Sequence, residues 1–72
     1  MIQWTLKEAI ATAERARGHR ITYRDISADT GVSKSTLTRM ATQSQTRCDL
    51  TVIDRLCDYL ECGVGDLLVK VR

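Results

Sequence analysis

Apolar side chains recur along this chain at helical spacing, interrupted by short polar breaks. Leu6, Ala9, Ile10, Ala13 and Ala16 follow one another at three and four residues, which predicts a first helix with one buried stripe. Thr5-Leu6-Lys7-Glu8 reads as a capping box at its start, and Gly18 suits the left-handed position at its end. A second helix opens at Thr22, with Asp25 placed to return the capping hydrogen bond and Ile21 placed to pack on Ile26. Gly31 ends it. Ser33 then caps a third helix, Lys34 to Ala41, whose Leu37 and Met40 face inward and whose Val32 and Leu37 form another staple.

The pattern lapses over residues 42–48, Thr-Gln-Ser-Gln-Thr-Arg-Cys, which predicts a surface loop. Asp49 caps a fourth helix carrying Leu50, Ile53, Leu56, Cys57 and Leu60 as its stripe, and Gly63-Val64-Gly65 breaks it. Asp66-Leu67-Leu68 forms either a short fifth helix or a single turn. The terminal segments, Met1 to Trp4 and Val69 to Arg72, alternate enough for short strands that pair with each other or across a dimer. The expected fold is therefore all-α, a compact domain of four to five helices with short strands at its ends, spanning 1–72 as one unit.

Two short helices meeting at a glycine, residues 22–41, are a helix-turn-helix unit, whose second helix can enter the major groove of DNA. On that helix Lys34, Ser35, Thr38 and Arg39 lie opposite the apolar anchors. Net charge is only +2, but its distribution is uneven. Residues 15–47 hold seven Lys and Arg against Asp25 and Asp29, whereas residues 48–72 hold three against five carboxylates. The basic excess coincides with the helix-turn-helix unit, as a phosphate-binding surface requires.

Other chemistries find little support. At 72 residues the chain makes one small domain, whose core must be economical or helped by a partner. Cys48, Cys57 and Cys62 are odd in number, without a close pair, and are expected to be reduced cysteines serving as small apolar residues. His19 is the only histidine and is distant from them. No metal or cofactor site is expected, no nucleophile–base set or glycine-rich phosphate loop is present, and an enzyme is not expected. No basic-then-apolar leader or run of about 20 apolar residues occurs, so a cytoplasmic location away from membranes is expected. No segment suggests a small-molecule effector domain.

Residues 6–68 resemble the lambda-repressor-like, Cro-type helix-turn-helix domains of the XRE family, in particular the compact bacterial members. The resemblance rests on Ile26, Ser27, Gly31, Val32-Ser33, Leu37 and Met40, followed by Leu56-Cys57-Asp58-Tyr59-Leu60 and Gly65-Asp66-Leu67-Leu68. It implies a sequence-specific regulator of transcription that binds double-stranded DNA, working as a homodimer with helix 34–41 in the major groove. The alternative is a protein-interaction module, such as an antitoxin or adaptor, built on the same fold. Lys34 and Ser35 match positions at which family members touch base edges, although Lys34 equally suits a phosphate. Arg39, one turn on from Ser35, is the candidate for a bidentate contact to guanine. Thr36 and Thr38 face either a thymine methyl or a phosphate. Thr22, Tyr23 and Arg24 at the second helix, and Thr42, Gln43, Ser44 and Arg47 in the loop, are candidates for backbone contact. Tyr23 stands where the family often has glutamine, and its ring can instead lie half-buried. The chain departs from the family at Thr42-Gln43-Ser44, where an Asn-Gly-Lys type turn is usual. It departs again at Glu61, where a helix-ending glycine is common, and at Val64, where proline is frequent. Trp4, Val69 and Val71 either join a dimer surface or, for Trp4, seal the core.

Overall fold

A computed structural model describes residues 1–45, 47 and 49–71. In chain order it comprises β1 (Ile2–Trp4), α1 (Leu6–Arg17), α2 (Tyr23–Thr30), α3 (Lys34–Ala41), α4 (Leu50–Leu60), a 3₁₀ turn (Val64–Asp66) and β2 (Leu68–Lys70). The helices surround one core, in which Leu6, Ile26, Leu37, Met40, Leu56 and Leu67 are the most deeply buried side chains. Each of these removes enough apolar surface from water to contribute roughly 1.5–3 kcal/mol. The α2 helix packs on both α3 and α4, while α1 lies across α3 and α4. No helix among the described residues is long and apolar enough to cross a membrane.

Most helix ends follow from local chemistry. Thr22 Oγ1 accepts from the Asp25 N–H at 3.2 Å, and Asp25 Oδ2 accepts from the Thr22 N–H at 3.1 Å, so the capping box is complete. That hydrogen-bonded pair holds the Asp25 carboxyl below its ordinary range, with the backbone N–H of Thr22 the larger cause. Ser33 and Asp49 accept from the Thr36 and Thr51 amides at 3.1 and 2.9 Å. Gly18 and Gly31 take the left-handed conformation at φ 73° and 77°. In that conformation an L side chain would crowd the backbone.

Thr5 departs from its expected role. It sits at the start of α1 but makes no side-chain cap; instead its hydroxyl donates to the Asp66 carbonyl at 2.7 Å. Its own N–H donates to the Leu67 carbonyl at 2.7 Å. Contact with the 3₁₀ turn thus takes the hydroxyl that a local capping box would use. Two stripe positions are also corrected. Ala16 is exposed and lines an open cleft between α1 and the end of α4, beyond the reach of the core. Leu50 is 78% exposed. A helical side chain covers the turn N-terminal to its own Cα, and at the first residue of α4 that turn lies past the core.

The terminal segments pair within the chain as an antiparallel ladder, with Ile2 opposite Lys70, Gln3 opposite Val69 and Trp4 opposite Leu68. The expected 66–68 element is instead the 3₁₀ turn two residues earlier, which lets Leu67 enter the core and Leu68 begin β2. Trp4, at 8% exposure, seals the core. Ile2, Val69 and Val71 stay exposed. The ladder's two edges differ. Trp4 turns its N–H and C=O outward on the β1 edge, where Gln43 pairs with both. The β2 edge is three residues long and carries Lys70, both features that discourage further strand addition.

Two of the cysteines, Cys57 and Cys62, are free thiols, each half-buried. Burial, helped by neighbouring Cys57, pushes the Cys62 thiol up to about 11, so it stays protonated near neutral pH. Cys48 lies outside the described residues, as do Thr46 and Arg72.

Candidate nucleic-acid interface

The α3 helix is held from below and left open above. Leu37 and Met40 are fully buried, whereas Lys34, Ser35, Thr38 and Arg39 are exposed on the opposite side. No side-chain hydrogen bond to another described residue engages Lys34, Ser35 or Thr38. Arg39 differs: its Nε donates to Gln45 Oε1 at 3.1 Å and its Nη2 lies 3.4 Å from Thr36 Oγ1. Thr36, half-buried, also shares a hydrogen bond with Ser33 Oγ at 2.9 Å. Its hydroxyl therefore sits inside a network that runs along α3 from cap to last turn.

The turn before α3 is fixed by Thr30, whose buried hydroxyl donates to the Ile26 carbonyl at 2.6 Å and accepts from the Val32 N–H at 3.2 Å. Arg55 of α4 donates through Nη1 to the Thr30 carbonyl at 3.2 Å, covering the end of α2. A Cβ placed on Gly31 would stand 3.4 Å from that same nitrogen. These contacts set the angle at which α3 leaves α2.

Beyond α3 the chain makes a Schellman turn without glycine. Gln43, at φ 64°, donates its N–H to the Met40 carbonyl at 3.2 Å, and the Ser44 N–H donates to the Arg39 carbonyl at 2.7 Å. Thr42 donates its hydroxyl to the Thr38 carbonyl at 3.0 Å and lies 3.1 Å from Ser44 Oγ. The side chain of Gln43 turns inward to the Trp4 backbone, through Oε1 at 2.8 Å and Nε2 at 2.7 Å. This gives Gln43 a structural task in addition to the phosphate contact expected from its loop position. The sequence offered no signal for it, because Trp4 lies 39 residues away.

At the second helix Arg24 is exposed and Tyr23 is half-buried against the core, so the ring packs while Arg24 projects. The Thr22 hydroxyl already accepts within the capping box, and the adjacent Asp25 charge disfavours an anion at that helix start. Arg47 is exposed. The basic count also contains structural members. Arg17 lies over the Tyr59 ring, 5.1 Å from its centroid, and its Nη2 donates to the Tyr59 carbonyl. Arg17 thus ties α1 to α4, while Lys34, Arg24, Arg39 and Arg47 are exposed.

Two residues with no distinguishing signal in the sequence support this surface. Gln45 joins Arg39 to β1, with the Trp4 indole Nε1–H donating to its carbonyl at 2.7 Å. Glu14 accepts from the Ile21 N–H at 2.8 Å, anchoring the link into α2.

Comparison with protein families gives a match over most of the chain. The family of Cro/C1-type HTH DNA-binding domains covers residues 14–71, and the chain belongs to that family. No curated protein and no solved structure matches it.

Proposed function

We propose that this Cro/C1-type domain is a sequence-specific regulator of transcription that lays α3 in the major groove of double-stranded DNA as a homodimer. The observation that carries this reading is the division of α3, with Leu37 and Met40 fully buried and Lys34, Ser35, Thr38 and Arg39 exposed. In the proposal Ser35, Thr38 and Arg39 meet base edges, and Lys34 meets a base edge or the adjoining phosphate. Tyr23, Arg24, Thr42, Ser44 and Arg47 flank the groove as phosphate contacts. Thr36 and Thr22 act there only through whatever donor capacity their internal hydrogen bonds leave.

One such helix covers about half a site. Two copies on a two-fold axis therefore place half-sites about 34 Å apart, or at a multiple of that spacing. The exposed apolar side chains Ile2, Val69, Val71 and Leu50 are candidates for the surface between copies. The domain sits in the cytoplasm with its DNA in this reading.

Selection of bound duplexes from a random pool, followed by salt titration, tests the proposal. The expected result is a symmetric site and an affinity that falls with salt at a log–log slope near −0.9 per phosphate neutralised. Absence of binding to every duplex at low salt would overturn it and favour the protein-interaction alternative.

A further inference from the structure

Gln45 is engaged at every one of its polar groups. Its N–H donates to the Arg39 carbonyl at 3.2 Å, and its carbonyl accepts from Trp4 Nε1 at 2.7 Å. Its Oε1 accepts from Arg39 Nε at 3.1 Å, and its Nε2 donates to the Arg47 carbonyl at 3.2 Å. Trp4 is buried, so this chain of contacts starts from a rigid point and ends on the guanidinium of the recognition helix. Thr36 Oγ1 lies 3.4 Å from Nη2 of the same guanidinium.

We infer that Gln45 is a positioning residue for Arg39, fixing how the arginine fork is presented to DNA; this rests on the proposed role of α3 in reading bases. Two physical consequences follow from the geometry. With Nε engaged by Gln45 and one Nη2 donor directed at Thr36, the guanidinium keeps the Nη1 donors and a second Nη2 N–H, and two such N–H donors match the O6 and N7 acceptors of guanine. Arginine is also rich in rotamers, and ordering it before binding lowers the entropy lost on contact. That benefit accrues only where the fork finds its base. Gln45 therefore raises the preference for one base pair, not affinity for DNA in general. The relay crosses the fold from β1 to α3, so the short terminal ladder supports the reading surface as well as closing the core.

The test compares wild type, Gln45→Met, Gln45→Glu and Trp4→Phe on two duplexes. One is the selected site; the other replaces the guanine whose preference Arg39→Ala abolishes. Gln45→Met keeps the length of the side chain without its acceptor, and should lower discrimination between the two duplexes roughly fivefold to tenfold. The salt slope and the affinity for unrelated DNA should stay unchanged. Gln45→Glu restores an acceptor and should recover the preference, with an overall loss of affinity from its added charge. Trp4→Phe removes the indole donor and should shift discrimination in the same direction as Gln45→Met, by less. In the free protein, Arg39 Nε–H should exchange with solvent more slowly than Arg24 Nε–H, and Gln45→Met should remove the difference. Equal weakening on both duplexes, or equal exchange rates in wild type, would overturn the role of Gln45 while leaving DNA reading by α3 intact. Failure of wild type to bind any duplex would overturn the DNA reading itself, and the role of Gln45 with it.

Discussion

Gln43 stands beside Trp4 as a neighbouring strand would. Its amide oxygen accepts from the Trp4 N–H and its amide nitrogen donates to the Trp4 carbonyl, at 2.8 and 2.7 Å. One side chain thereby closes the β1 edge and docks the turn after α3 onto the terminal ladder. It does so from a left-handed backbone, φ 64°, where glycine would be unstrained.

Two variants separate those contributions. Gln43→Ala keeps the left-handed backbone and loses both hydrogen bonds, and is expected to destabilise by about 2 kcal/mol. Gln43→Gly loses the same bonds but relieves roughly 1 kcal/mol of backbone strain, so it should fall between Gln43→Ala and wild type. Urea unfolding midpoints give the order. A glycine variant more stable than wild type would mean that the pairing with Trp4 contributes less than the strain it requires.

Glu61 ends α4 at φ 55°, again in the left-handed region, and its carboxylate lies at the negative end of the helix dipole. Both effects oppose the native residue. Glu61→Gly should therefore stabilise the domain by about 1 kcal/mol, which for a domain of this size raises Tm by roughly 4–8 °C. Thermal unfolding followed by circular dichroism reads this directly, and an unchanged or lower Tm would show that the Glu61 side chain makes a compensating contact.

Arg39 and Arg47 are both exposed cations near the C-terminal end of α3, yet they should fail in different ways. Arg39→Ala is expected to relax sequence preference at one position, with a loss of ~1–3 kcal/mol on the preferred site. Arg47→Ala should weaken all duplexes about equally and reduce the salt slope by about one phosphate. Uniform loss from both would remove Arg39 from the set of base-reading residues.

The capping box at α2 carries a pH signature. Because the Asp25 carboxyl is held below its ordinary value, its contribution is fully present above the unfolded carboxylate range and is lost as pH falls through the lower, folded value. Stability of wild type should accordingly decline on acidification below about pH 4, and Asp25→Ala should remove part of that decline. Side-chain carboxyl shifts measured by NMR would give the folded value itself; a midpoint for Asp25 at or above that of a free aspartate contradicts the capping geometry.

The features legible in the chain are those whose partners lie within a few residues. Thr22 with Asp25, Ser33 with Thr36, Gly18 and Gly31 at their helix ends, and the inward pair Leu37 and Met40 all follow from helical geometry and need no knowledge of the rest of the fold. For the same reason the outward row Lys34, Ser35, Thr38 and Arg39 was accessible, since fixing one face of a helix fixes the other. Packing of distant segments determined the remainder. Thr5 gave its hydroxyl to Asp66, 61 residues away, and Arg17 went to Tyr59, 42 residues away, leaving the basic surface smaller than its charge count. Gln43 and Gln45, featureless in a loop without periodicity, acquired their roles from Trp4 at separations of 39 and 41 residues. Local pattern encodes which face a helix buries; which polar side chain finds a buried partner depends on chain segments that meet only after the core has formed.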